Sequence, residues 1–371
     1  MVTPDLDDHE CLSLRFVAPR QVDLTRGHPE ALTPGHVRVR TLYSGISAGT
    51  ELTAYRGSNV YLHKRWDPRQ RLFQPDQHTV SYPIVGWGYS EVGEVVEVCD
   101  PRTQEADPAV ASPQPGDIVS GIWGHRSEAV VAADHLAGRQ LPAGLDPVLG
   151  VFARVGAIAL NAVLAAEPHL TETAVITGQG VIGLIATRLA VLSGARVIAV
   201  DPVQARRAVA DRFGAAYCLD ASGVDVASRV RELTGTGADV VIDLSGSYRG
   251  LHEAIRCAQP GGRVIAAGFY QGPASALDLG EEFHHNRVTL VSSQIGGLPA
   301  DLTARWDTGR LHRAVMELIH NGQLDVGSLV THIVPITAAG DAFRMLDEDP
   351  TDALQVVLDF RDFGSFSESP S

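Results

Sequence analysis

The densest chemical signal in the 371-residue sequence is Gly178-Gln179-Gly180-Val181-Ile182-Gly183. Glycines at this spacing suit a strand-to-helix turn that binds a dinucleotide. Gly178 permits the tight turn, Gly180 lets backbone amides approach a pyrophosphate, and Gly183 lets helix and strand pack closely. A helix starting here would add about half a positive charge facing the phosphates. An acid is expected about 20 residues further on, and Asp201 ends the apolar run Arg196 to Val200. Asp201 would accept hydrogen bonds from the adenosine ribose, which favours NAD(H), because a 2′-phosphate would meet a carboxylate. Arg206 and Arg207 leave NADP(H) open. Glycines that merely tighten a turn are the bland alternative.

The elements that must hold this turn are legible around it. Ala174 to Thr177 is a short apolar strand, and Ile182, Ile185, Leu189 and Leu192 recur at helical spacing. Val240 to Leu244, Arg263 to Ala267 and Thr289 to Val291 repeat the buried-strand theme with helical segments between, which predicts a parallel sheet with right-handed crossovers. Ser245-Gly246 and Gly268-Phe269-Tyr270 follow two of these strands and are expected to line the nicotinamide half of a cofactor site. The first third is β-rich, with strands expected at Leu12 to Phe16, Val37 to Leu42, Glu91 to Val98 and Ile118 to Trp123. Tyr55 to Ser81 and Asp100 to Pro115 interrupt it as surface excursions. A helix over Leu311 to His320 and strands over Leu329 to Ile336 and Leu354 to Phe360 complete the chain, and the tail from Gly364 is expected to fray.

Composition bounds the function. Lys plus Arg is 30 and Asp plus Glu is 44, a net charge of −14, which disfavours nucleic acid and anionic membranes as partners. The apolar stretch Val155 to Ala166 is too short to span a bilayer, and the acidic start MVTPDLDDHE is no signal peptide. A cytoplasmic protein with a small-molecule substrate is expected. Cys11, Cys99, Cys218 and Cys257 are scattered and form no thiolate cluster for zinc.

Beyond the nucleotide turn, Ser44-Gly-Ile-Ser-Ala-Gly-Thr-Glu51, Tyr55-Arg-Gly57, Gly88-Tyr-Ser-Glu-Val-Gly93, Pro115-Gly-Asp117 and Thr331-His-Ile-Val-Pro335 resemble the medium-chain dehydrogenase/reductase family. With Gly280-Glu-Glu-Phe283-His284, they look most like its branch containing bacteriochlorophyllide hydroxyethyl dehydrogenase. The resemblance runs from about Leu12 to Phe360. It implies an α/β chain: a GroES-like, β-rich catalytic domain and a Rossmann domain with a doubly wound parallel sheet. The expected division is 1–152 for the catalytic domain, 153–300 for the Rossmann domain and 301–371 completing the catalytic domain. A homodimer is also implied.

The departures from the family concern its zinc. Where zinc members carry a cysteine ligand, this chain reads Ser47-Ala48. Thr53 replaces a relay histidine, Tyr89 stands in the place of the second ligand, and Arg154 falls at the third. Ala, Tyr and Arg do not make an N/S site, so no catalytic zinc is expected; a displaced site on His125 and Glu51 is the exception to test. Without a Lewis acid, charge on a carbonyl oxygen must be met by protein donors or a proton. Tyr89 is the candidate acid or base and Thr50 the matching relay hydroxyl, with Glu51 orienting Thr50 or Arg154. His125 is a further proton shuttle, because imidazole titrates near neutrality. Ser47, Lys64, Arg65 and His284 are candidate substrate contacts, the two cations lying in the basic run His63 to Arg71. For each, a packed or solvated side chain is the competing reading.

The sequence therefore points to a zinc-independent NAD(P)(H)-dependent oxidoreductase acting on a small hydroxylated substrate, a secondary alcohol such as a polyol or cyclitol, phosphorylated or not. Reduction of an activated C=C bond is the first alternative, and a dinucleotide-binding sensor without turnover the second.

Overall fold

The computed structural model describes residues 10–75, 77–99 and 111–364. The first nine residues, most of the excursion from Asp100 and the tail beyond 364 lie outside the described residues. Two compact units emerge: one holds the described residues up to Arg154 with those from Val330 onward, the other runs Val155–Leu329. The second division thus falls after Leu329, where the sequence suggested residue 300. The reason is the helix Thr308–His320, whose Val315 occupies the space that a side chain on Gly156 would fill within the second unit.

The second unit is built on a six-stranded parallel sheet. In spatial order its strands are Tyr217–Leu219, Arg196–Val200, Thr173–Thr177, Ala238–Asp243, Ala258–Ala266 and Thr289–Ser292. The winding reverses between Thr173–Thr177 and Ala238–Asp243, which creates a crevice at their carboxyl ends. Thr173–Thr177 is buried at every position, as a sheet covered on both faces requires. The following helix, Val181–Leu192, buries Leu184, Ile185, Ala186, Thr187, Leu189 and Ala190. Its expected stripe is thus shifted: Leu192 is exposed and Ile182 only half-buried.

The first unit is antiparallel in its main pairings. His36–Ile46 pairs with Glu91–Cys99 on one side and Gln355–Asp359 on the other, and also with Glu128–Ala132. Pairing of Val356 with Ile46 ties the C-terminal segment to the residues just before Ser47. A second sheet joins Cys11–Ala18 to Gln21–Gly27 and Ile84–Val85. Between the sheets lies an aromatic core in which Phe16 meets Phe343 edge-on at 5.1 Å and Tyr55 packs on Phe343 at 5.6 Å.

Two expectations are amended. Pro147–Ala166 forms one apolar helical run of 20 residues, long enough to span a bilayer by length and composition, yet most of it is buried inside the protein. It is a core helix. The excursion after Tyr55 is partly structured: Arg65–Asp67 and Leu72–Gln74 form an antiparallel hairpin, with Trp66 and Phe73 at 4.9 Å.

Candidate active site

The glycine turn is shaped as a phosphate cradle. Gly178 has φ +85, and a Cβ there would stand 2.7 Å from the backbone nitrogen of Ser245. Only glycine supplies both the positive φ and that approach. Gly183 lies so close to the Gly178 carbonyl that a Cβ would overlap it, whereas a Cβ on Gly180 would meet nothing within 4 Å. Gly180 is the N-cap of the helix, and the amides of Val181, Ile182 and Gly183 form its first turn, where backbone donors have no partner within the helix. This geometry fits the pyrophosphate of NAD(P).

Asp201 holds the turn as well as ending its strand. Oδ2 accepts the Gln179 N–H at 2.7 Å and Oδ1 accepts the Val203 N–H at 2.8 Å. The Gln179 side chain is wholly buried, donating to the Ile176 carbonyl and accepting from Thr187 Oγ1. Arg207 donates to the carbonyls of Asp201 and Pro202 and pairs with Asp220 at 2.9 Å.

At the reversal of the winding stands a residue the sequence reading passed over. Asp243 is fully buried; its Oδ1 accepts from Thr177 Oγ1 at 2.5 Å and the Ser245 N–H at 3.3 Å, and its Oδ2 from Tyr270 Oη at 2.5 Å. One carboxylate thus joins the ends of three strands. Burial pushes its pKa up, and the three donors oppose that shift. Gly268 lies against Gly246, where a Cβ would come within 2.6 Å of its backbone nitrogen, so Ser245, Gly246, Gly268 and Tyr270 are gathered in one place. Phe269 beside them is 40% exposed. An acid ending a second apolar strand, as Asp201 ends the first, was the signal available.

The first unit gathers hydroxyl groups around Tyr89. Its phenol makes a very short hydrogen bond with Ser47 Oγ, and Thr50 lies close enough to favour the charged phenolate. Burial raises the Tyr89 pKa and the Glu51 charge adds to this, while the hydrogen bonds and the nearby Arg154 cation work the other way. Burial lowers the Arg154 pKa, with the Tyr89 charge opposing. The turn is set by the Glu51 N–H donating to the Ser47 carbonyl, and by Thr53 Oγ1, itself bonded by Asn59, donating to the Thr50 carbonyl. Thr53, expected where zinc members have a histidine, is therefore a brace for Thr50.

Glu51 and His125 lie elsewhere than a solvated loop would place them. His125 Nε2 sits 2.8 Å from Glu51 Oε2 with both side chains fully buried, and Nδ1 sits 2.6 Å from Ser44 Oγ. Both ring nitrogens are committed, so His125 is no free proton shuttle, and Glu51 orients neither Thr50 nor Arg154 by a hydrogen bond. Lys64 and Arg65 are exposed on the hairpin, and exposed His284 contacts His285 in the second unit. Within the first unit, neither Lys64 nor Arg65 shares a hydrogen bond with Tyr89, whose partner is Ser47.

The family's zinc fails a test on donor chemistry. Ala48, Tyr89 and Arg154, at the positions the resemblance assigns to the ligands, offer no thiolate or imidazole, and His125 has no nitrogen to spare. Among the described residues, one His/Cys/Asp/Glu group is tight enough for an ion: His252, Asp278 and Glu281, half-buried to exposed on the second unit. The four cysteines are all free.

Comparison with known proteins agrees with this architecture. A family model described as zinc-binding dehydrogenase matches residues 181–309, a stretch that contains none of positions 48, 89 and 154. The chain is 29% identical over 352 residues to D-guloside 3-dehydrogenase of Escherichia coli K12, covering 92% of this chain and 98% of that one. It is 26% identical over 352 residues to 2-desacetyl-2-hydroxyethyl bacteriochlorophyllide A dehydrogenase of Cereibacter sphaeroides, with 92% and 96% covered. In fold it resembles galactitol-1-phosphate dehydrogenase from Escherichia coli, at a TM-score of 0.75, 19% identity and coverage of 94% and 99%. With relatives matched along nearly their whole length and a nucleotide cradle formed from the expected residues, the chain is an NAD(P)-dependent enzyme similar throughout to the medium-chain dehydrogenase/reductase family.

Proposed function

We propose that the protein interconverts a secondary hydroxyl of a small polyhydroxylated substrate, such as a sugar derivative or glycoside, and the corresponding ketone, without a catalytic zinc. The observation that carries this reading is the Tyr89 phenol bonded by Ser47, next to Ala48, with Tyr89 and Ala48 at positions that the resemblance assigns to zinc ligands. The relative named for oxidising a guloside at C3 supports a ring hydroxyl as the reacting group. NAD(H) is the proposed cofactor, because Asp201 presents a carboxylate at the end of the second strand and Arg207 is occupied by carbonyls and Asp220.

The bound nicotinamide supplies or accepts the hydride. For ketone reduction, Tyr89 donates its proton to the oxygen that gains charge, while the Ser47 hydroxyl holds the phenol in place. For oxidation the same atoms run in reverse: Tyr89 takes the substrate proton as it passes its own to a bonded hydroxyl. Half-buried Thr50 is the exit toward water.

Chelator-treated protein should contain only substoichiometric zinc, bind NAD(H), and reduce NAD+ with one or more members of a glycoside and polyol panel. Activity lost on chelation and restored by zinc would overturn the metal-free mechanism. Saturation of an enone, with no ketone reduced and no alcohol oxidised, would replace this reading with C=C reduction.

A further inference from the structure

The cofactor crevice of the second unit is packed backbone against backbone. A Cβ on Gly178 would stand 2.7 Å from the Ser245 nitrogen, and one on Gly268 would stand 2.6 Å from the Gly246 nitrogen. Three loops therefore meet at glycines: the turn after Thr177, the loop after Asp243 and the loop after Ala266. Backbone contacts at glycine have no side chain to interlock, so hydrogen bonds must set how far apart these loops stand.

Asp243 supplies those bonds to all three. Oδ1 accepts from Thr177 Oγ1, in the residue before the glycine turn, at 2.5 Å and from the Ser245 N–H at 3.3 Å, and Oδ2 accepts from Tyr270 Oη at 2.5 Å. Its main-chain carbonyl accepts the N–H groups of Ala267 and Gly268, both at 3.0 Å. The far end of the third loop is held as well: the Tyr270 ring stacks on Tyr248 at 5.4 Å, and Tyr248 Oη donates to the Gly272 carbonyl at 3.0 Å. Asp243 is fully buried, and each of these side-chain bonds comes from a neutral donor. A buried carboxylate is costly unless its donors are well placed. Here the donors come from three chain segments, so the charge is well held only when the three loops stand at the right separation.

We infer that Asp243 is a positioning residue that sets the spacing between the glycine turn and the loops carrying Gly246 and Phe269, and so favours a ligand that spans both: the whole dinucleotide over its adenylate half. The inference rests on the reading of those two loops as the nicotinamide side of the cofactor site. Asp243 touches no reacting atom. Its carboxylate lies buried behind the loops and acts through Thr177, Ser245 and Tyr270, while Phe269, next to Tyr270, is 40% exposed.

Binding titrations with NADH and with AMP, which carries the adenosine and one phosphate but no nicotinamide, test it without turnover. In Asp243→Ala, NADH should bind about tenfold or more weakly, the loss expected for hydrogen bonds to a charged group, while AMP affinity stays within about twofold of the wild type. Tyr270→Phe, which cuts only the side-chain bond to the third loop, should show the same split to a smaller degree and serves if Asp243→Ala does not fold. Equal weakening of NADH and AMP would make Asp243 a brace of the fold alone and overturn the inference, as would wild-type NADH affinity in the variants that fold. Gly268→Ala, whose new methyl group would press on the Gly246 backbone, tests the underlying reading separately. Weaker NADH binding in Gly268→Ala, with none in the Asp243 and Tyr270 variants, would overturn the role of Asp243 and leave the reading of the loops standing. Wild-type NADH affinity in Gly268→Ala would show that the loops do not meet the cofactor, and both would fall.

Discussion

A Cβ on residue 183 would overlap the carbonyl oxygen of Gly178, so the two outer glycines of the cofactor turn are fitted to each other as well as to a ligand. Gly183→Ala must open the turn to make room. Overpacking of this kind costs about 1–3 kcal/mol. Calorimetry should show a lower melting temperature, and titration with NADH a weaker affinity, by roughly tenfold for each 1.4 kcal/mol lost. Unchanged NADH affinity would mean that the turn does not carry the phosphates.

Tyr89→Phe removes the phenolic hydroxyl and keeps the ring. A positioned acid or base is worth about 10²–10⁴-fold in rate, and kcat should fall by that order while NADH affinity stays at the wild-type value. Ser47→Ala, which deletes one partner of the phenol, should fall between the two. Wild-type kcat in Tyr89→Phe would remove the residue from the mechanism.

Asp201→Asn turns an acceptor oxygen into a donor beside the N–H of either Gln179 or Val203. An unsatisfied buried donor costs about 1–3 kcal/mol. Thermal unfolding should report the loss, and NAD(H) affinity should drop with it, since the Gln179 amide belongs to the turn. Unchanged stability would mean that Asp201 is no brace, and unchanged discrimination against NADP(H) that it does not select the cofactor.

Burial works against the His125 cation, but the charge and hydrogen bond of Glu51 and the charge of Glu91 outweigh it, so its pKa lies above the ordinary 6.5. A histidine whose folded pKa is raised contributes stability fully below its unfolded pKa and loses it as pH rises through the folded value. The melting temperature should therefore contain a component that declines above about pH 6.5. His125→Gln should lack this component. A wild-type curve with the same slope as His125→Gln in that window would show the imidazole to be neutral.

Most of the cofactor half was readable because it is local. Gly178, Gly180, Gly183 and Asp201 belong to one strand–turn–helix–strand run, and the apolar strands Thr173–Thr177 and Arg196–Val200 announce themselves by composition. Short edge strands such as Tyr217–Leu219, and the strand Gln21–Gly27 with its mixed burial, carry no comparable pattern. The helix Thr308–His320 was legible as a helix, but its membership of the second unit depends on the contact with Gly156.

The catalytic half shows the limit more sharply. Residue types alone argue against a thiolate and imidazole set at Ala48, Tyr89 and Arg154, because ligand chemistry is a property of the side chain wherever it lies. What those residues do was decided by approach in space. Ser44 and Glu51 share one segment, Glu91 and His125 come from two others, and a strand pairing that sets Ser44 opposite Glu91 helps bring them together. Whether His125 is a solvated shuttle or a buried partner of Glu51 depends on the desolvation around it, and desolvation is set by everything packed on a residue and by nothing in its neighbours along the chain.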